Sequence, residues 1–167
     1  MLVDQNNPIL HKPNQPVTQE LLVDNGKGLK AVAQVLMDNL HKNNAIGISA
    51  CQIGIDLALF IINVDGHIRV CANPQLVAAS ADMEKQIEGC LSFPNLELNI
   101  NRPTAVVVRY TNLDANEVTE QLDGLAARAW LHEYDHTIGI CFTNRVSKLV
   151  LDMSKRKLAK AKRRSVQ

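Results

Sequence analysis

At 167 residues the chain is long enough to bury one sizeable core, since typical domains run about 100–150 residues and the buried fraction rises with length. With 46% hydrophobic, 21% charged and 4% aromatic residues and a net charge of +1, the composition excludes a disordered or fibrous chain. One domain over residues 1–167 is the expectation.

The longest apolar run, residues 57–62, falls far short of the roughly 20 needed to span a bilayer, so no membrane association is expected. The opening MLVDQNNPILHKPNQP lacks both the basic start and the apolar core of a secretory signal. A cytoplasmic setting follows as an expectation, with Cys51, Cys71, Cys90 and Cys141 kept reduced.

Residues 25–43 place Leu29, Val32, Ala33, Leu36 and Leu40 at the spacing of an amphipathic helix. Residues 57–64 and 67–72 flank Asp65-Gly66 and read as two strands around a tight hairpin turn. Further strands are expected at 96–100, 105–110 and 117–122, divided by Asn-Arg-Pro and Asn-Leu-Asp-Ala-Asn. A second helix is expected over 125–136, stopping near Gly139, where glycine relieves the position past a helix end.

A third helix, residues 146–162, sets Leu149, Val150, Met153 and Leu158 on one side and lysines on the rest. From Arg145 onward nine Lys/Arg stand against Asp152 alone, whereas residues 1–144 hold nine Lys/Arg and 16 Asp/Glu, a balance of −7. A helix, a run of strands and then helices, without strict alternation, predicts an α+β fold. Antiparallel or mixed sheets should pack around the central 125–136 helix, with an N-terminal helix and a basic C-terminal one.

That central helix carries HEYDH at residues 132–136. Residues four apart share a helix face, so His132 and His136 reach one ion, and Glu133 lies beside them as general base for a water on that ion. The plain alternative is an amphipathic helix that happens to hold two histidines. Catalytic sites of this kind use three protein ligands and leave a position open, so the third donor decides the class.

Phe142 stands six residues past His136, where the metzincin extension needs a histidine. No glutamate follows Glu133, and beyond His136 the only acid is Asp152, a weak candidate inside the basic segment. The donor is therefore sought upstream, where Cys90 in IEGCLSFP precedes a proline expected to end a strand. Cys51 in GISACQIG competes with it, Cys141 is poorly placed to turn back, and any of these thiols is by default core filler. Spacing does not choose between Cys90 and Cys51.

Three segments in order, IGISACQIG (46–54), EGCLS (88–92) and HEYDH (132–136), resemble the signature motifs of the peptide deformylase family. Asn73-Pro74, Asp123-Gly124 and the basic C-terminal helix extend the likeness over most of the chain. The resemblance implies Cys90, His132 and His136 as metal ligands and Glu133 as the general acid/base. It implies that Gln52 and the backbone N–H of Leu91 hold the formyl oxygen, and that Ile46, Gly47 and Gly89 meet the substrate main chain as an added strand.

The implied reaction removes formate from the N-formylmethionine that begins newly made polypeptides. Ferrous iron is the implied native ion, with zinc or nickel able to replace it and oxygen sensitivity as a consequence. The chain departs from the usual family pattern at Ala45, Ser49, Cys51 and Leu131, where glycine, alanine, proline and glutamine are usual. These departures leave every ligand, the base and the amide donor in place.

Leu125 and Ala129 precede His132 and Glu133 by seven and four residues, which puts them on the site's face as the expected lining for a methionine side chain. Glu88 and Arg102 are expected to form a buried pair bracing the Cys90 loop. A basic helix beside an acidic body suits a phosphate backbone, so the ribosome, through its RNA or its proteins, is an expected partner. Two other readings use the same helix: a metal-dependent endopeptidase, and a non-enzymatic domain whose structural zinc takes a fourth protein ligand.

Overall fold

The structure, a computed structural model, describes residues 2–23 and 27–164. In chain order its elements are α1 (Gln19–Val23), α2 (Lys27–Lys42), β1 (Gly47–Ser49), β2 (Leu59–Val64), β3 (His67–Ala79), β4 (Met83–Cys90), β5 (Phe93–Pro103), β6 (Ala105–Thr111), β7 (Glu117–Asp123), α3 (Gly124–Thr137) and α4 (Lys148–Arg164). Five strands form one sheet in the order β1-β2-β3-β6-β7, while β4 and β5 pair as a separate hairpin. Every pairing among the described strands is antiparallel. The fold is α+β, as the order of elements predicts.

The apolar stretch in β2 is unbroken because this strand is covered on both faces. Leu59 and Ile61 join the cluster built on α2, with Leu29, Leu36 and Leu40; Phe60 and Ile62 join the cluster on α3, with Trp130 and Ala127. Strand β6 alternates instead, burying Val106, Val108 and Tyr110. The result is a layered body in which α3 lies between the large sheet and the β4–β5 hairpin, touching β1 and β2 on one side and β5 on the other.

The Asp65-Gly66 turn is as expected: both residues have positive φ, 53° and 78°, and Val64 pairs with His67. The following strand runs seven residues past its expected end, to Ala79. Asn73 takes φ 51° and the pairing with β6 shifts between Ala72 and Gln75, so a bulge absorbs Asn73-Pro74 without ending the strand. Of the first helix, Asn25 and Gly26 lie outside the described residues.

Two expectations are corrected. Pro94 does not end a strand; Cys90 pairs with Phe93 across a tight turn, so Pro94 is the second residue of β5 and lies exposed on it. On α4 the expected apolar side is mostly solvent-facing, with Leu149 70%, Val150 42% and Met153 61% exposed. Leu151 and Leu158 are the residues that pack, against the cluster of Phe93, Leu98, Ile100 and Phe142. No helix among the described residues is long and apolar enough to cross a membrane.

Candidate active site

Helix α3 buries Arg128, Glu133, Asp135 and His136 together with Trp130. Charged groups removed from water need partners, and their pairing divides the helix into two working faces. Arg128, His132 and Asp135 sit at i−4, i and i+3 and turn to the hairpin. There Glu88 accepts a fork from Arg102, Nε to Oε1 at 2.6 Å and Nη2 to Oε2 at 2.9 Å. Arg128 Nη1 donates to the same Oε1 at 2.8 Å, and His132 Nδ1 meets Oε2 at 3.0 Å.

Arg102 also donates from Nη1 to Asp135 Oδ2 at 2.9 Å, and Arg145 closes the chain with Nε at 3.0 Å from Oδ2 and Nη2 on Oδ1. Burial opposes the charge of Glu88, but the hydrogen bonds from His132 and Arg102 hold its carboxyl down at about 2. The Glu88–Arg102 pair expected from the sequence is thus part of a larger cluster. Arg128, Asp135 and Arg145 escaped the sequence reading, although Arg128 and Asp135 share the helical spacing of His132.

With Nδ1 engaged by Glu88, His132 is left with Nε2 for an ion. Cys90 Sγ stands 3.3 Å from His136 Nε2, and the donor atoms of Cys90, His132 and His136 lie within 4.8 Å of one another. Among the described residues this is the group of cysteine, histidine and acidic side chains close enough to share an ion; Cys51, Cys141 and Asp152 are not in it. The Cys141 thiol donates instead to the Leu10 carbonyl at 3.5 Å.

Burial holds His136 well below 6.5, hence neutral and able to offer a lone pair. Against its own burial, His132 is drawn up to about 10 by hydrogen bonds to Cys90 and Glu88. One thiol and two imidazoles form a donor set suited to zinc- or iron-type ions, whereas magnesium and calcium take oxygen. The residues present fit a divalent transition-metal ion.

Glu133, 4% exposed, lies against Gly47 and accepts a hydrogen bond from Ser49 Oγ on Oε2 at 2.7 Å. Burial raises its carboxyl above 4.5, with His132 and the Ser49 hydroxyl acting in the other direction. A raised carboxyl suits a group that must take up and return a proton. Gln52, on the 3-10 turn Ala50–Ile53, accepts the Ser49 N–H on Oε1 at 2.8 Å, which leaves Nε2 pointing to Cys90 Sγ at 3.3 Å.

A cleft of about 680 Å³ opens over this group. Ile46 and Gly47 line it beside Gln52, Gly89 and Leu91 line it beside Cys90, and Leu125 and Ala129 line it from α3 beside His132 and Glu133. His136, fully buried, lies beneath. Ile46 and Leu125 are rim residues, 45% and 47% exposed, while Ala129 is buried. Ile46, Gly47, Gln52, Gly89, Cys90, Leu91, Leu125, Ala129, His132 and Glu133 thus share one cleft, whereas Cys51, Cys141 and Asp152 lie apart from it. Ser49 is the site residue whose contact with Glu133 the sequence reading missed.

Comparison with known proteins adds an independent line. A family model described as polypeptide deformylase matches residues 1–151. The chain is 34% identical to a peptide deformylase of Rhodopseudomonas palustris over 173 residues, covering 99% of this chain and 94% of that one. It is 33% identical to one from Thermotoga neapolitana, covering 84% and 82%.

Among solved structures, Plasmodium falciparum peptide deformylase in complex with an inhibitor superposes with a TM-score of 0.84 at 31% identity, covering 98% and 99% of the two chains. The Acinetobacter baumannii peptide deformylase with Met-Ala-Ser bound matches with a TM-score of 0.84 at 28% identity, covering 87% and 97%. These matches favour a deformylase over an endopeptidase built on the same helix. This chain belongs to the peptide deformylase family, and is therefore a metalloenzyme that acts on the formylated ends of newly made polypeptides.

Proposed function

We propose that the chain hydrolyses the formamide of N-formylmethionyl peptides, with Cys90, His132 and His136 holding one divalent ion and Glu133 serving as general acid/base. The observation that carries this is the convergence of three metal donors and a buried, raised carboxyl at the wall of one cleft. A divalent ion held there by Cys90, His132 and His136 would supply a water that is nucleophilic near neutral pH. Glu133 takes the proton and returns it to the departing amine.

Gln52 Nε2 and the Leu91 N–H flank Cys90 and stabilise the developing oxyanion, a role whose loss typically costs on the order of 100–1000-fold in turnover. The substrate main chain lies extended between β1 and β4, each an outer strand of its sheet, meeting Ile46, Gly47 and Gly89. Its methionine side chain rests against Leu125 and Ala129. The Acinetobacter baumannii relative, bound to a peptide that begins with methionine, supports this assignment.

Ferrous iron is the proposed native ion, with zinc or nickel as substitutes, since thiolate and imidazole donors accept all three. Metal analysis of anaerobically purified protein, together with formate release from a formyl-Met peptide, tests site and reaction at once. Stoichiometric metal and formate release with the peptide bonds left intact is the expected result; internal cleavage overturns it. The basic face of α4 is proposed as a contact for the ribosome.

A further inference from the structure

We infer that Ser49 is a positioning residue for Glu133: its hydroxyl fixes Oε2 and so reserves Oε1 for the proton that the reaction moves. The inference rests on the reading of Glu133 as acid/base and adds to it a residue and a division of labour between the two carboxylate oxygens.

Ser49 ends β1 and is fully buried. Its Oγ is 2.7 Å from Glu133 Oε2 and 3.2 Å from the Glu133 main-chain oxygen. A hydroxyl carries one hydrogen, and the shorter contact has the length of a charge-assisted bond, so the hydrogen goes to the carboxylate.

Oε1 is in a different situation. It lies against Gly47, where a Cβ would approach to 2.6 Å, and no donor among the described residues meets it. Gly47 and Glu133 both line the cleft. The last torsion of a glutamate is broad, so a carboxylate without a fixed oxygen turns through many orientations. Ser49 removes that freedom, and because it holds Oε2 its bond persists whether Oε1 carries the proton or not.

The same residue reaches the second half of the site. The Ser49 N–H holds Gln52 Oε1 at 2.8 Å, which aims Nε2 at the metal donors. One residue at the end of an edge strand thereby sets the proton acceptor through its side chain and the amide donor through its main chain. An alanine at position 49 keeps the second function and loses the first.

The test measures formate release from a formyl-Met peptide by wild type, Ser49→Ala, Ser49→Thr, Glu133→Gln and the double variant, each with its metal content determined. Ser49→Ala is expected to lower kcat roughly tenfold, the scale of a modest misplacement, with KM within about twofold and metal content unchanged. Ser49→Thr, which keeps a hydroxyl, retains most of the rate. In the Glu133→Gln background the alanine costs nothing more, because the side chain at position 133 no longer takes a proton.

A crystal structure of Ser49→Ala is expected to show the Glu133 carboxylate rotated or in two orientations. Wild-type kcat for Ser49→Ala, an equal loss in both backgrounds, or an unmoved carboxylate would each overturn the inference. A wild-type protein that releases no formate while fully metallated overturns the acid/base reading itself, which is a separable failure.

Discussion

A Cβ on residue 47 would stand 2.6 Å from Oε1 of Glu133, 2.9 Å from its Cγ and 3.0 Å from its Cδ, so Gly47 and Glu133 share a contact that only bare backbone allows. Gly47→Ala must push the carboxylate aside, since strand β1 is held by its pairing with β2. A displacement near 1 Å at a reacting group costs on the order of 100-fold in rate. Formate release should fall by about that factor while the melting temperature moves little. A variant with near-normal kcat would show that Glu133 yields without consequence.

Glu88 compensates two buried arginines and at once orients His132, a proposed metal ligand. Glu88→Gln keeps the shape but removes the charge, leaving Arg102 and Arg128 short of a partner in a buried setting. Breaking such a cluster costs about 3–5 kcal/mol, and losing the partner of a ligating histidine lowers metal affinity about 10–100-fold. Denaturant titration and competition with a chelator measure the two effects separately. A variant as stable as wild type would mean that the arginines find other partners.

What the sequence made legible follows from how local each signal is. His132, Glu133 and His136 are readable because a helix repeats within five residues, and the same spacing sets Arg128 and Asp135 on the face of His132. The choice of Cys90 over Cys51 was not readable from spacing, because it depends on where the β4–β5 hairpin folds over α3. Motif resemblance supplied it. Strand β4, MEKQIEGC, was missed as a strand since its polar composition has low β propensity; pairing with β5 and the ionic contacts of Glu88 hold it instead. On α4, Leu158 packs as the spacing predicts, but the residue that joins it against the hairpin is Leu151, while Leu149, Val150 and Met153 face solvent.

Alkaline pH should unfold the protein through its buried acids outside the site. Burial pushes the Cys71 thiol well above 9.0 and the Tyr110 phenol above 10.0, and it raises Cys141 to about 12. The folded state keeps these protons while the unfolded chain releases them, so above pH 9 the unfolded state binds fewer protons and stability falls as pH rises. Each group contributes at most about 1.4 kcal/mol per pH unit. Urea midpoints between pH 8 and 10.5 should decline, and Cys71→Ala should decline less steeply. A flat profile would contradict the assigned burial.

The exposed cations of α4, Lys155, Arg156, Lys157, Lys160 and Arg163, leave the body of the protein free to act without them. Removing residues 154–167 takes away Leu158, which packs on the hairpin beside Leu151, but no described residue that lines the cleft. Formate release from a short peptide should therefore stay within about twofold, the scale of a small misplacement in a site otherwise intact. Ribosome binding should weaken and lose its salt dependence, because each phosphate contact given up removes close to one unit from the slope of log affinity against log salt. Sedimentation with ribosomes at low and moderate salt makes the comparison. Equal binding by the two forms would remove α4 as the contact and leave its charge as a solvated face.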